Sequence, residues 1–246
     1  MPYLICALTG VVAGVLNVLA GGGSFLTLPV LLFLGLPAAV ANGTNRVGVM
    51  TQSLGAVWGF HRYGKMDWRW AFAVSVPAVL GAALGVWASL TIPDFAFRRI
   101  LSVVMLVITL WTLFRKASTP PPPDATPRSP WHWSTVLAFF GVGVYGGFLQ
   151  AGVGFLVLAA TSAAGLDLVR GNAVKMLSVL LLTMLSLAVF AGTGHVDWAL
   201  GLALGIGNLA GAMVGVRLAV LKGHRWLERI VTITIVVFAV LLWVTD

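Results

Sequence analysis

The chain has 246 residues, of which 59% are hydrophobic and 9% charged, with a formal net charge of +8 and a mean hydropathy of +1.00. A soluble domain ordinarily carries about 25% charged residues, so this composition excludes one and points to a protein whose solvent is the lipid bilayer. The positive charge does not mark a nucleic-acid partner, because the basic residues sit in short loops between apolar runs, where the positive-inside bias places them.

In chain order the apolar runs are 2–20, 24–36, 41–60, 70–90, 100–114, 131–149, 155–165, 171–191, 198–221 and 230–244. Several match the roughly 20 residues that span a hydrocarbon core, whereas 24–36 and 155–165 are short and lie beside glycines, which predicts broken or partial helices. The first run has no Lys or Arg before it and no evident small-residue cleavage site, so it reads as a retained helix. The single cysteine, Cys6, lies in that run and rules out an internal disulfide or a cysteine metal cluster; it reads as a small packing residue.

Sliding the sequence against itself by 130 residues aligns the two halves without a gap from about Gly22 to Ile100. Gly22 and Phe25 meet Gly152 and Phe155, Asn42 meets Asn172, Asp67-Trp68 meets Asp197-Trp198, and Gly81 and Gly85 meet Gly211 and Gly215. The chain is an internal duplication: a first transmembrane repeat over 1–116, a Pro-rich linker over 117–130, and a second repeat over 131–246. The prolines of "ASTPPPPDATPRSP" cannot continue a helix, and the linker reads as exposed and partly extended.

The basic residues bear on orientation. If all ten runs cross, twelve of the fifteen Lys and Arg fall on one side, against Arg46, Arg98 and Arg99 on the other; if the two short runs do not cross, the division is nine to six. The positive-inside rule favours the first arrangement: an all-α polytopic membrane protein of two inverted five-segment repeats, with the linker in the cytoplasm. Transporters built this way hold substrate near the bilayer midplane, at interrupted helices.

Each half has such an interruption, "AGGGSF" at Ala20–Phe25 and "QAGVGF" at Gln150–Phe155. Glycines let the backbone turn and let an anion approach bare N–H groups. They also serve helix packing, but their recurrence at matched positions favours a site. The second paired element is "ANGTNR" at Ala41–Arg46 against "GNAVKM" at Gly171–Met176, in which Asn45 meets Lys175. Asn and Thr at a helix start also cap free amides. A cation there opposes the helix dipole and calls for an anion nearby, although Arg46 and Lys175 also fit juxtamembrane cations reaching for headgroups. Lys175 is preferred for its place in the repeat.

These residues carry a family resemblance. "GVVAGVLNVLAGGGSFLTLPVLLFLGLPAAVANGTNRVGV" and "GGFLQAGVGFLVLAATSAAGLDLVRGNAVKML" resemble the two signature segments of the TauE/SafE sulfite exporter family, also called the sulfonate uptake permease family. The resemblance covers nearly the whole chain outside the linker. It implies a transporter of small sulfur-containing or organic anions, of the sulfite, sulfonate, sulfoacetate or thiosulfate class, in the bacterial inner membrane. "GNAVK" departs from "NGTNR", so the two half-sites need not be equivalent.

Other motifs read as structural. Asp67 and Asp197 read as N-caps followed by interfacial Trp, and the Gly-xxx-Gly series at 81–85, 201–205 and 207–215 as close helix crossings. His61 and His195 match neither each other nor a metal-ligand spacing, and no carboxylate lies unmistakably at mid-membrane. Neither a cofactor nor a resident metal is expected, and an intramembrane enzyme lacks a catalytic constellation. The leading reading is a secondary anion transporter. Gly22, Gly23, Ser24, Gly152 and Gly154 supply backbone contacts; Asn42, Thr44, Asn45, Asn172 and Lys175 supply donors, and Gln150 an amide. A passive anion channel is the alternative. A coupling ion, H+ or Na+, and a homodimer are compatible with either.

Overall fold

A computed structural model describes residues 1–114 and 126–244, and the side chains within them except 105, 108–114 and 223–244. Among these residues the architecture is all helical: α1 (Pro2–Leu19), α2 (Ser24–Phe33), α3 (Ala38–Arg62), α4 (Trp68–Thr91), α5 (Asp94–Phe114), α6 (Trp133–Phe148), α7 (Val153–Ala163), α8 (Leu168–Gly192) and α9 (Trp198–Val244). The helices Pro2–Leu19, Trp68–Thr91 and Leu168–Gly192 and the stretch Trp198–Lys222 are long and apolar enough to cross a membrane. Of the linker, 117–125 lies outside the described residues and 126–130 is not helical. The sequence separates 198–221 from 230–244, yet one helix covers both. No proline divides them, and a single Gly costs a helix only about 1 kcal/mol.

The surface and interior are those of a protein in lipid. Phe72, Val76, Leu80, Leu84 and Trp87, at helical spacing along α4, are each more than half exposed. The interior holds Asn17, Asn42, Asn45, Arg46, Gln52 and Lys175. A water-soluble protein would reverse that distribution.

The two halves exchange partners. On α6, Gly143 and Gly147 lie against the backbone at Ala78 and Ala82, and on α4, Gly81 and Gly85 lie against Phe140 and Val144. A Cβ on any of these four glycines would come within 2.2 Å of a facing carbonyl oxygen. In the same way, Gly10 and Gly14 of α1 meet Leu204 and Asn208 of α9, while Gly207 and Gly211 meet Ala7 and Val11. The glycine series is thus a device for backbone contact, which van der Waals packing in lipid rewards. The first helix of each half packs on the fourth helix of the other.

Contact order along the helices fixes their directions. Gly43, Gly48 and Gly59 of α3 pack in turn on His195, Leu204 and Val216, so α3 runs parallel to α9, as α1 does. Two successive long helices therefore point the same way, and the ten-residue α2 with its flanking loops carries the chain back between them. Against α8, α3 runs the other way. Gly43, near its start, faces Phe190, near the end of α8, and Phe60, near its end, shares an apolar cluster with Ala173 and Met176.

Helix ends follow the sequence. Asp67 accepts from Trp70 N at 3.0 Å, and its repeat mate Asp197 accepts from Leu200 N at 3.0 Å. Asp167 caps α8 through Val169 N and Arg170 N. The start of α3 uses a distant residue instead, because its N-cap is Pro37: Ala38 N donates to Asp94 Oδ2 at 2.9 Å.

Candidate functional site

The site begins where the two helix breaks meet. Gly21 has φ +95° and lies against Gly154 so closely that a Cβ on Gly154 would be 2.4 Å from Gly21 Cα. The ring of Phe25 covers Gly152, which has φ +70°. Only glycine fits both the backbone sign and the approach. Gly22 and Gly152, matched in the repeat, accept from Phe25 N and Phe155 N at 3.0 Å each, but Gly152 is left-handed and Gly22 is not, and α7 opens one position earlier in the repeat than α2.

Between these breaks and the middles of α3 and α8 lies a small cavity, lined on its polar side by Asn17, Ser24, Gln52, Gln150 and Lys175. Gln52 and Val179, both lining it, sit near the centres of the 25-residue helices α3 and α8, which places it at mid-depth. The space open to the centre of a water molecule is about 10 Å³, room for about one water. An oxyanion needs more room than this.

Two cations flank the cavity, and both are fully buried. Lys175 Nζ donates to the carbonyls of Asn17 at 2.8 Å and Val18 at 3.0 Å, and to Asn172 Oδ1 at 2.5 Å, which occupies its three protons. Arg46 donates to the carbonyls of Gly146 at 3.2 Å and Gly147 at 2.5 Å, to Gln150 Oε1 at 2.5 Å and to Asn42 Oδ1 at 3.5 Å. Its guanidinium also stands 4.8 Å from the centroid of the Phe190 ring, and its Nε, buried, has no hydrogen-bond partner. The carbonyls are those of the last turns of α1 and α6, so each cation meets the negative end of a helix dipole.

This corrects the expectation for these cations. Neither lies at the start of its own helix: α3 begins at Ala38 and α8 at Leu168, so Arg46 and Lys175 are about two turns in. Asn42 and Thr44 are likewise within the helix rather than capping it. Neither cation reaches the headgroups, because each is 0% exposed. No Asp or Glu is among the buried residues described, and the one ion pair among the described residues, Arg170–Asp167, is on the surface.

The remaining sequence candidates divide. Ser24, Gln150, Gly154 and Lys175 line the cavity. Asn45 stands behind it, accepting from Thr27 Oγ1 at 2.6 Å and donating to Ser24 Oγ at 3.4 Å. Asn42 ties α3 to Ser89 and the carbonyl of Phe148. The Gly23 amide is taken by Asn17 Oδ1 at 2.8 Å, so that part of the α2 N-terminus is not open to an anion. Asn172 orients Lys175, with its Nδ2 buried and unpartnered. Thr44 faces elsewhere and accepts from Asp197 N at 2.9 Å.

Asn17, Gln52 and Thr183 are not among the sequence candidates, and Arg46, weighed there beside Lys175, ranks below it. Asn17 donates to Gln52 Oε1 at 3.1 Å, and Gln150 donates to Thr183 Oγ1 at 2.8 Å. A scan for isolated amides within the apolar runs would have found Asn17 and Gln52. Gln150 is the one non-glycine residue with positive φ among those described, at +66°, a conformation that persists where surroundings impose it.

The profile of the family Sulfite exporter TauE/SafE matches residues 6–242. A "Probable membrane transporter protein" of Haemophilus influenzae is 30% identical over 236 residues, covering 95% of this chain and 90% of the relative. "Probable membrane transporter protein YfcA" of Escherichia coli is 28% identical over 242 residues, covering 94% and 87%. No solved structure matches the chain significantly. With a profile match over almost its whole length and buried polar helix breaks in an apolar helical body, the chain belongs to the sulfite exporter TauE/SafE family of membrane transporters.

Proposed function

We propose that the protein is a secondary transporter of small sulfur-containing or organic anions, of the sulfite, sulfonate, sulfoacetate or thiosulfate class, working by alternating access and not as an enzyme. The observation that carries this reading is the pair of fully buried cations without a buried carboxylate among the described residues. Taking a charge out of water is costly unless it is paired, and neutral acceptors leave the net positive charge in place. A mid-depth site with that charge attracts anions and repels cations.

The geometry supports a two-state mechanism. Arg46 joins α3 of the first half to α6 of the second, and Lys175 joins α8 of the second to α1 of the first. An arriving anion competes with the helix carbonyls for these N–H groups and loosens the ties between the halves. The opposed directions of α3 and α8, which are repeat mates, favour inverted repeats and a rocking motion about the site. The Trp70 indole donates to the carbonyl of Arg128, and Arg128 N to Ala164. These bonds bring Arg128 and the starts of α4 and α8, which carry Arg69 and Arg170, to one end, the cytoplasmic end of an inner-membrane protein by the positive-inside rule.

Counterflow in proteoliposomes tests the proposal. Labelled sulfite should accumulate transiently against unlabelled sulfite and follow saturable kinetics. Single-channel currents in planar bilayers would establish the channel alternative instead, and flux of neutral or cationic solutes at equal rates would refute anion selectivity.

A further inference from the structure

A second feature lies outside this site, on the lipid-facing side between the C-terminal part of α3 and α9. A groove of about 550 Å³ runs there, floored by Gly55 and Gly59 and walled by Trp58, Met213 and Val214. Its mouth is formed by Arg62, Tyr63 and Arg217. The apolar wall is strongly exposed: Trp58 is 52% exposed, Met213 50% and Val214 51%. Arg62 lies 5.4 Å from the centroid of the Trp58 ring, and among the described residues neither it nor Arg217 has a carboxylate partner.

The two ends of the groove ask for different chemistry. Its wall suits an acyl chain, because an apolar channel facing hydrocarbon is filled by hydrocarbon. Its mouth suits a phosphodiester, because two guanidiniums without a carboxylate partner among the described residues present planar N–H pairs that match phosphate oxygens. Trp58 and Tyr63 fit the boundary between the two, where aromatic rings settle. The mouth also adjoins the turn that carries Lys65 and the start of α4 that carries Arg69, at the end where the basic residues gather. That end faces the leaflet in which anionic lipids attract basic clusters. We infer that this groove binds one anionic phospholipid, with the headgroup phosphate between Arg62 and Arg217 and an acyl chain along Trp58, Met213 and Val214. The occupant is a lipid rather than a free anion because the polar mouth and the apolar wall are continuous.

Native mass spectrometry of the full chain released from micelles containing equal phosphatidylglycerol and phosphatidylcholine tests this. The wild-type protein should retain phosphatidylglycerol preferentially. Arg62→Ala combined with Arg217→Ala should weaken that retention about thirtyfold, the attraction of two surface cations for an anionic headgroup. Arg98→Ala combined with Arg99→Ala should leave it unchanged. Equal retention of both lipids, or full retention by the first double variant, overturns the inference, and so does displacement of the lipid by millimolar inorganic phosphate. Should that variant fail to fold, bromine-labelled phosphatidylglycerol replaces it. Quenching in the wild-type protein should lose its largest component in Trp58→Phe, and quenching that Trp58→Phe does not reduce refutes the site.

Discussion

Asn17 and Gly146 occupy equivalent positions in the last turns of α1 and α6, whose C-caps are Ala20 and Leu149, and each gives its carbonyl oxygen to a buried cation from the opposite half. Lys175 Nζ is 2.8 Å from the first, and an Arg46 guanidinium nitrogen is 3.2 Å from the second. The cations themselves are not equivalent, since the repeat mate of Lys175 is Asn45 and that of Arg46 is Met176. The duplication has therefore kept the acceptors in register while moving one cation by a residue. Two half-sites of different chemistry, one ammonium and one guanidinium, follow from that shift.

Replacing Lys175 with Ala removes the donor from three buried acceptors as well as one positive charge. Sulfite counterflow should fall at least tenfold. Apparent stability should also fall, by about 1–3 kcal/mol for each acceptor that finds no water. Thermal unfolding in detergent measures the second effect. Undiminished counterflow in a well-folded variant would remove Lys175 from the transport mechanism.

Arg46→Lys keeps the charge but not the fork. A single ammonium cannot reach Gly146, Gly147 and Gln150 together, so counterflow should fall about tenfold or more. The loss should exceed that in Arg62→Lys, whose guanidinium is exposed. Equal counterflow in Arg46→Lys and the wild-type protein would show that charge alone suffices.

Gly154→Ala places a methyl group 2.4 Å from Gly21 Cα, and backbone cannot yield as a side chain does. Overpacking of this kind costs about 1–3 kcal/mol, so the melting temperature should drop. Gly141→Ala, where no atom lies within 4 Å, should unfold with the wild-type protein. Identical melting of Gly154→Ala and Gly141→Ala would contradict the close contact between the breaks.

Gln150→Gly separates strain from function. Glycine adopts without strain a left-handed conformation that costs a side-chain-bearing residue about 1–2 kcal/mol, while the substitution deletes the amide that joins Arg46 to Thr183. Stability should change little because the two effects oppose each other, whereas counterflow should fall several-fold. A variant that transports at the wild-type rate would assign Gln150 to backbone geometry alone.

Asp67→Ala and Asp197→Ala remove matched caps distant from the cavity. Each should cost about 1 kcal/mol of stability and leave the apparent affinity for anion unchanged. A large change in affinity from either would tie the helix entrances to the site.

Composition alone determined the solvent, because 9% charged residues cannot cover a soluble surface of this size. The repeat was also legible, since Gly22, Phe25, Asn42 and Asp67 recur with one offset, and so were the Asp67 and Asp197 caps, which act within a few residues of themselves. Other features depended on packing between segments far apart in the chain. Nothing local to "NGTNR" says that Arg46 will end on the carbonyls of Gly146 and Gly147, a hundred residues away. Its own helix start is an unfavourable place for a cation, whereas the end of α6 is a favourable one, and only the tertiary arrangement puts that end within reach of the Arg46 side chain. The same holds for Asn17, unremarkable in α1 until Gln52, Gly23 and Lys175 meet it. Periodicity and propensity act over a few residues and show in sequence; pairing of buried polar groups is set by which helices touch, and that the tertiary structure decided.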